Sequence, residues 1–188
     1  MDLATLWTSS FGPLLPVGDV LRNELTSTRW LRIHSLPESK RYPDSEVEYE
    51  ELLRRHNAVA SEVLGLETRC WLILARYASA SDTIDWKREA ESLGYELEET
   101  SIWGRPLCDD DCLYTFGVSR IVWKAGHLDK LIRSVADDRE RFILFSEVTG
   151  DVYAPYDGGA DLFVRSRDRR DALRRAWKQW RSSRDDGL

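Results

Sequence analysis

Phe142-Ile143-Leu144-Phe145-Ser146-Glu147-Val148-Thr149-Gly150-Asp151-Val152-Tyr153-Ala154-Pro155-Tyr156-Asp157-Gly158-Gly159-Ala160-Asp161-Leu162-Phe163-Val164 is the stretch that decides the fold class. Phe142 to Val148 reads as a strand opened by four apolar residues, Thr149-Gly150 is a turn pair, and Asp151 to Ala154 brings the chain back. Asp157-Gly158-Gly159 turns it again into Leu162-Phe163-Val164. Strands joined by turns this tight pair antiparallel, because a parallel neighbour needs a crossover of a dozen residues or more. Ser166 follows as the cap of a basic helix. The apolar face of that helix is Leu173, Ala176, Trp177 and Trp180, spaced i, i+3, i+4 and i+7. A C-terminal β-hairpin followed by an amphipathic helix is therefore expected.

Working outward, Cys70-Trp71-Leu72-Ile73-Leu74-Ala75 is apolar without alternation and reads as a strand covered on both faces. Trp30-Leu31-Arg32-Ile33 reads as a first strand. Between them lies a helix opened by the capping box Ser45-Glu46-Val47-Glu48, with Tyr49, Leu52, Leu53, His56, Val59, Ala60 and Val63 as its stripe and Gly65 as its stop. Residues 14–25 read as a short first helix. Ser81 or Asp82 caps another around Trp86, Ala90 and Leu93, closed by Gly94. Tyr95 to Trp103 reads as extended and Gly104 to Asp111 as a loop. Leu113 to Trp123 is either a strand pair or one long strand bulged at Gly117. His127 to Val135 is a helix with Leu128, Leu131, Ile132 and Val135 inward. The expectation is a single α+β domain over residues 1–188, with helices packed on a mixed or antiparallel sheet.

A chain of 188 residues can bury a core without disulfide or metal support. Its three cysteines are an odd number, and no apolar run approaches the ~20 residues that span a bilayer. No basic and apolar leader is present either, so a reducing cytoplasm is the expected location and no membrane partner is expected. Cys108-Asp109-Asp110-Asp111-Cys112 lacks a second cysteine pair at zinc spacing, and its carboxylates disfavour thiolates, so it reads as an acidic surface loop. The net charge of −6 is uneven: Arg165 to Arg184 carries nine cations against two acids, +7, leaving −13 elsewhere. Such a surface suits a basic protein partner and repels nucleic acid, except at the final helix. There the tryptophans share the inward stripe, apart from the arginines, which argues for docking on a core over base stacking.

The connector His34-Ser35-Leu36-Pro37-Glu38-Ser39-Lys40-Arg41-Tyr42-Pro43 is denser in functional groups than a turn requires. Lys40 and Arg41 stand just ahead of a helix start, where an anion would be welcome. The plainer reading pairs Glu38 with Lys40 or Arg41 and packs Tyr42. In the second stretch, Tyr153 to Asp161, Asp157 and Asp161 could hold a hard cation with Glu147 or Asp151. The spacing is not that of an EF-hand, and hairpin turns use Asp and Gly routinely, so no cofactor is expected. His34 and Ser35 are adjacent and point apart, which is not a triad. His56, on the apolar stripe, reads as a hydrogen-bonded packing residue.

Arg32 to Tyr42 taken with Pro155 to Asp161 resembles a family of small bacterial proteins that share a domain of unknown function. The similarity runs from Trp30 onward. Phe142 to Trp180 resembles the family's C-terminal part: a strand, a hairpin, a Y-D-x-G-x-D turn, a strand and a tryptophan-bearing helix. Small acidic α+β proteins of this kind include immunity proteins that block a toxin domain. The family has no settled chemistry, and it is this analogy of size and charge that leads to the expectation of a non-enzymatic cytoplasmic binding protein, an immunity protein directed at a basic toxin domain. Its binding residues would be His34, Glu38, Lys40, Arg41, Tyr42, Tyr156, Asp157 and Asp161, with the two tyrosines as anchors, Arg41 as a forked donor and the aspartates as acceptors. The alternative is a phosphate- or nucleotide-binding enzyme, using His34, Lys40 and Arg41 on phosphate and Asp157 and Asp161 on a divalent cation. That reading requires the loop and the turn to face one cleft. A second alternative is a nucleic-acid contact through the basic C-terminal helix.

Overall fold

The apolar run around Leu72 becomes the middle of the sheet, because a strand without alternation needs both faces covered. In the computed structural model, which describes residues 2–181 apart from 26, 80, 110 and 111, this strand is Arg69–Ala78 (β2). It pairs with Cys112–Val122 (β5) on one side and Phe142–Ser146 (β6) on the other. Val152–Tyr156 (β7), Gly159–Phe163 (β8) and Trp30–His34 (β1) continue beyond β6. Glu98–Thr100 (β3) and Leu107–Asp109 (β4) both pair with β5. The order is β1-β8-β7-β6-β2-β5-β3, and every ladder is antiparallel. The fold is α+β, as expected, with the mixed-sheet option removed.

Successive residues of a strand point to opposite faces, so β2 feeds two cores. Leu72 and Leu74 join Leu144 and Leu162 beneath Glu46–Leu64 (α3), Asp129–Ala136 (α5) and Arg167–Ala176 (α6). Ile73 joins Phe116, Ile143, Phe145 and Phe163 beneath Leu3–Phe11 (α1) and Gly18–Glu24 (α2). Trp86–Leu93 (α4) buries Trp86 in the first core.

Several expectations are corrected. Residues 3–11, to which the sequence reading assigns no element, form α1: Asp2 caps it by accepting from the Thr5 amide, and Leu3, Trp7 and Phe11 recur at i, i+4 and i+8 on its buried side. The helix expected over 14–25 starts only at Gly18, because Pro16 and its predecessor disfavour helical backbone. β5 is not bulged at Gly117, for its register against β2 is unbroken from Leu113 to Val122. The glycine is needed for space: a Cβ there would lie 2.2 Å from the Trp86 ring. Part of the expected Gly104–Asp111 loop is β4, and the Tyr95–Trp103 segment is strand only at β3. The last helix ends at Ala176, before a single turn, Lys178–Trp180. Trp180 is buried there, and Trp177 stacks on it with ring centroids 4.6 Å apart. Asp110 and Asp111 of the acidic loop, and Arg184 of the basic segment, lie outside the described residues.

One irregularity shapes the molecule. The β7–β8 ladder runs on to Tyr156↔Gly159, whereas β6 and β7 pair only at Leu144↔Tyr153 and Phe145↔Val152. Continuing that register would set Phe142 opposite Pro155, whose nitrogen has no hydrogen to donate. The two strands therefore part at this end.

Candidate binding cleft

Where β6 and β7 part, the structure holds a cleft of about 310 Å³. Its floor is apolar and small: Ile73 and Ala75 of β2, Ile143 of β6 and Ala154 of β7. The start of α2 supplies one wall with Val17, Asp19 and Arg22. Asp138, Glu140 and Arg141, after α5, supply another. Tyr156, Asp157, Asp161 and Arg41 close the rim, so the connector after β1 and the turn before β8 share this cleft.

The contacts that join them are specific. The Ser35 amide donates to the Gly158 carbonyl over 3.0 Å. Arg41 Nε and the Tyr42 hydroxyl both donate to Asp157 Oδ2, over 2.6 and 2.8 Å. Between these anchors the connector turns back through Glu38 and Ser39, both in left-handed backbone at φ 56° and 59°. Gly159 permits the close approach, since a Cβ there would lie 1.9 Å from the Ile33 carbonyl oxygen.

Asp157 and Asp161 are buried, at 6% and 5% exposure, so their partners decide their chemistry. Arg32 meets Asp161 through Nε and Nη2, both over 2.8 Å, and the Trp30 indole adds a third donor at 2.9 Å. Each carboxylate is thus the internal counter-ion of an arginine, with Asp157 Oδ2 and both Asp161 oxygens held as acceptors inside the chain. Among the described residues no group of three His, Cys, Asp or Glu is placed to hold a metal ion.

The other sequence-predicted residues scatter. Lys40 turns away from the cleft to Asp44 and Glu48, at 2.8 and 2.6 Å, beside the start of α3. There Ser45 caps by accepting from the Glu48 amide. Glu38 is exposed and pairs with neither Lys40 nor Arg41 among the described residues. His34 ends β1 outside the cleft lining, and its Nε2 is buried without a hydrogen-bond partner among the described residues. Burial, followed by the nearby Arg32 and Arg55, lowers its pKa and keeps the ring neutral. Tyr156 is half-buried, with the Arg32 guanidinium 4.4 Å from its ring centre. Burial pushes its hydroxyl up to about 12, so it stays a proton donor.

A second constellation lies sealed behind β1. Ser35 Oγ is 2.7 Å from His56 Nε2, and His56 Nδ1 is 2.5 Å from the Tyr153 hydroxyl. All three residues are at most 3% exposed. Burial pushes the His56 pKa down to about 3, so the ring is neutral, with one nitrogen donating and the other accepting. This is the hydrogen-bonded packing role its place on the α3 stripe implies, with no route to substrate.

Arg22, Arg32 and Arg141 were not singled out from sequence. Arg32 had a signal, a cation inside the apolar run Trp30-Leu31-Arg32-Ile33. Arg22 and Arg141 look like ordinary surface cations until the fold brings them to the cleft.

The chain belongs to the family described as a domain of unknown function (DUF3885), whose model matches residues 17–185. That span begins just before α2 and takes in the whole sheet and every cleft residue but Pro16. No curated protein and no solved structure matches the chain.

Proposed function

We propose that this member of the DUF3885 family is a binding protein without enzymatic activity of its own, whose rim residues engage a protein partner. The observation that carries this reading is the junction of the connector and the turn, in which Arg41 and Tyr42 are held on Asp157 yet remain 62% and 48% exposed. An aromatic ring and a guanidinium, oriented from beneath and open to solvent, are the groups that anchor protein interfaces. Catalysis would instead need a base within hydrogen-bond reach of a nucleophile or acid at the cleft, and Asp19, the one lining acid without an ion pair among the described residues, has no such neighbour among its hydrogen-bond partners there. Here Asp157 and Asp161 are engaged by arginines, Lys40 by Asp44 and Glu48, and Ser35 and His56 are enclosed.

The acidic excess outside the C-terminal segment favours a basic partner and speeds its approach. An immunity protein facing a basic toxin domain in the cytoplasm fits that balance, and free Cys70 and Cys112 suit a reducing compartment. No helix among the described residues is long and apolar enough to cross a membrane.

The test is capture of a partner from native lysate by wild type and by an Arg41→Ala/Tyr42→Ala variant whose folding is checked by circular dichroism. A basic protein retained by wild type and lost by the variant supports the proposal. Retention of the same protein by both, or of none by wild type, overturns it.

A further inference from the structure

The cleft pairs its charges unevenly. Asp157 takes Arg41 and Asp161 takes Arg32, while Asp138 meets Arg141 at 3.3 Å and Glu140 meets Arg76 at 2.7 Å. Arg22 is left over. Its nearest carboxylate oxygen, Asp161 Oδ2, lies 4.0 Å away, beyond hydrogen-bond range, and Asp161 already accepts three N–H groups. The Arg22 guanidinium makes no hydrogen bond among the described residues although the side chain is only 33% exposed. The Tyr156 hydroxyl, at the same rim, has no acceptor there either.

Two donors without acceptors thus border a floor of Ile73, Ala75, Ile143 and Ala154. We infer that the cleft binds a carboxylate carried on a small apolar body, with Arg22 and Tyr156 donating to the carboxylate and the floor covering the body. A guanidinium matches a carboxylate with two parallel N–H bonds, and a volume near 310 Å³ is at the small end of ligand pockets. A single negative charge fits better than a phosphate dianion. Asp19, the one lining acid without an ion pair among the described residues, sits one helical turn before Arg22 and repels a second charge. The carboxylate has two possible sources, a free organic acid or the C-terminal residue of a partner chain.

This inference rests on the cleft as a binding surface and not on the partner being basic. The full chain is titrated calorimetrically with 3-phenylpropionate and its primary amide, and with a tetrapeptide ending in Leu-Phe, free or amidated. Saturable binding of at least one carboxylate form is expected, at least tenfold tighter than its amide and weakened at least tenfold by Arg22→Gln. Tyr156→Phe weakens it less, and Lys87→Gln, on the exposed side of α4, leaves it within twofold. Tighter binding of the acid identifies a small ligand, and tighter binding of the peptide identifies a partner's terminus. No saturation by either carboxylate up to about 10 mM overturns the inference, as does equal binding of acid and amide. Unchanged affinity in a folded Arg22→Gln variant, or tighter binding of inorganic phosphate, also overturns it. A failed titration with intact partner capture removes this inference alone, whereas a positive titration with failed capture removes only the protein-partner reading.

Discussion

Arg32 and Asp161 stand directly opposite each other in the β1–β8 ladder, and their side chains, themselves 10% and 6% exposed, close a two-bonded ion pair. The pair ties a strand from the N-terminal part of the chain to the last strand of the sheet. It also sets the rim, because the same guanidinium lies over Tyr156. A buried pair of this kind is not itself strong evidence for stability, since the desolvation of both charges opposes their attraction. Breaking it is another matter.

Asp161→Ala leaves the Arg32 charge buried without compensation, and a loss of about 3–5 kcal/mol is expected from urea unfolding. The double variant Arg32→Met/Asp161→Leu removes both charges and should recover most of that loss. If single and double variants unfold at the same urea concentration, uncompensated burial is not the cause.

Asp157→Ala releases Arg41 and Tyr42, but Arg41 is largely exposed, so global stability should fall by only about 1 kcal/mol or less. The local effect is larger. The connector already holds two residues in left-handed backbone, and its latch would be gone. Trypsin should then cut after Lys40 or Arg41 several-fold faster than in wild type, while the thermal midpoint moves little. Unchanged cleavage would show that Asp157 does not hold the connector.

His56 makes stability depend on pH in a defined direction. Its folded pKa is near 3, below the ordinary 6.5, so between these values the unfolded chain binds the extra proton. The stabilisation is fully present above pH 6.5 and is lost as pH falls toward 3, at up to about 1.4 kcal/mol per pH unit. His56→Gln should flatten the stability profile over that window by the equivalent of one proton. Parallel profiles for variant and wild type would mean that His56 is free to protonate in the folded state.

Gly117→Ala forces a methyl into the Trp86 ring, and overpacking of this sort costs about 1–3 kcal/mol. In a Trp86→Leu background the same substitution should cost much less, because the obstructing ring is gone. A double-mutant cycle by urea unfolding reads that coupling. An equal cost in both backgrounds would place the strain elsewhere.

The sequence by itself determined the α+β class, the antiparallel C-terminal hairpin, the doubly covered β2, the capped start of α3 and the inward face of α5, whereas the choice of an antiparallel over a mixed sheet came from the ladders. Each follows from signals a few residues wide: Thr149-Gly150 and Gly158-Gly159 allow only tight returns, Ser45 and Glu48 satisfy free amides, and apolar spacing marks the face that must be buried. The candidate residues were legible as an unusual loop and an unusual turn, but their roles were not. Asp157 and Asp161 look like ligand acceptors in the chain and are counter-ions in the fold, because Arg41 lies 116 residues from Asp157 and Arg32 lies 129 from Asp161. Gly117 looks like a bulge until Trp86, from another element, is seen against it. The cleft itself exists because Pro155 falls opposite Phe142, a matter of register between strands. Register, ion-pair partners and the 4.0 Å gap that leaves the Arg22 guanidinium short of a hydrogen bond to Asp161 are set by which strands meet, and only the tertiary structure decides that.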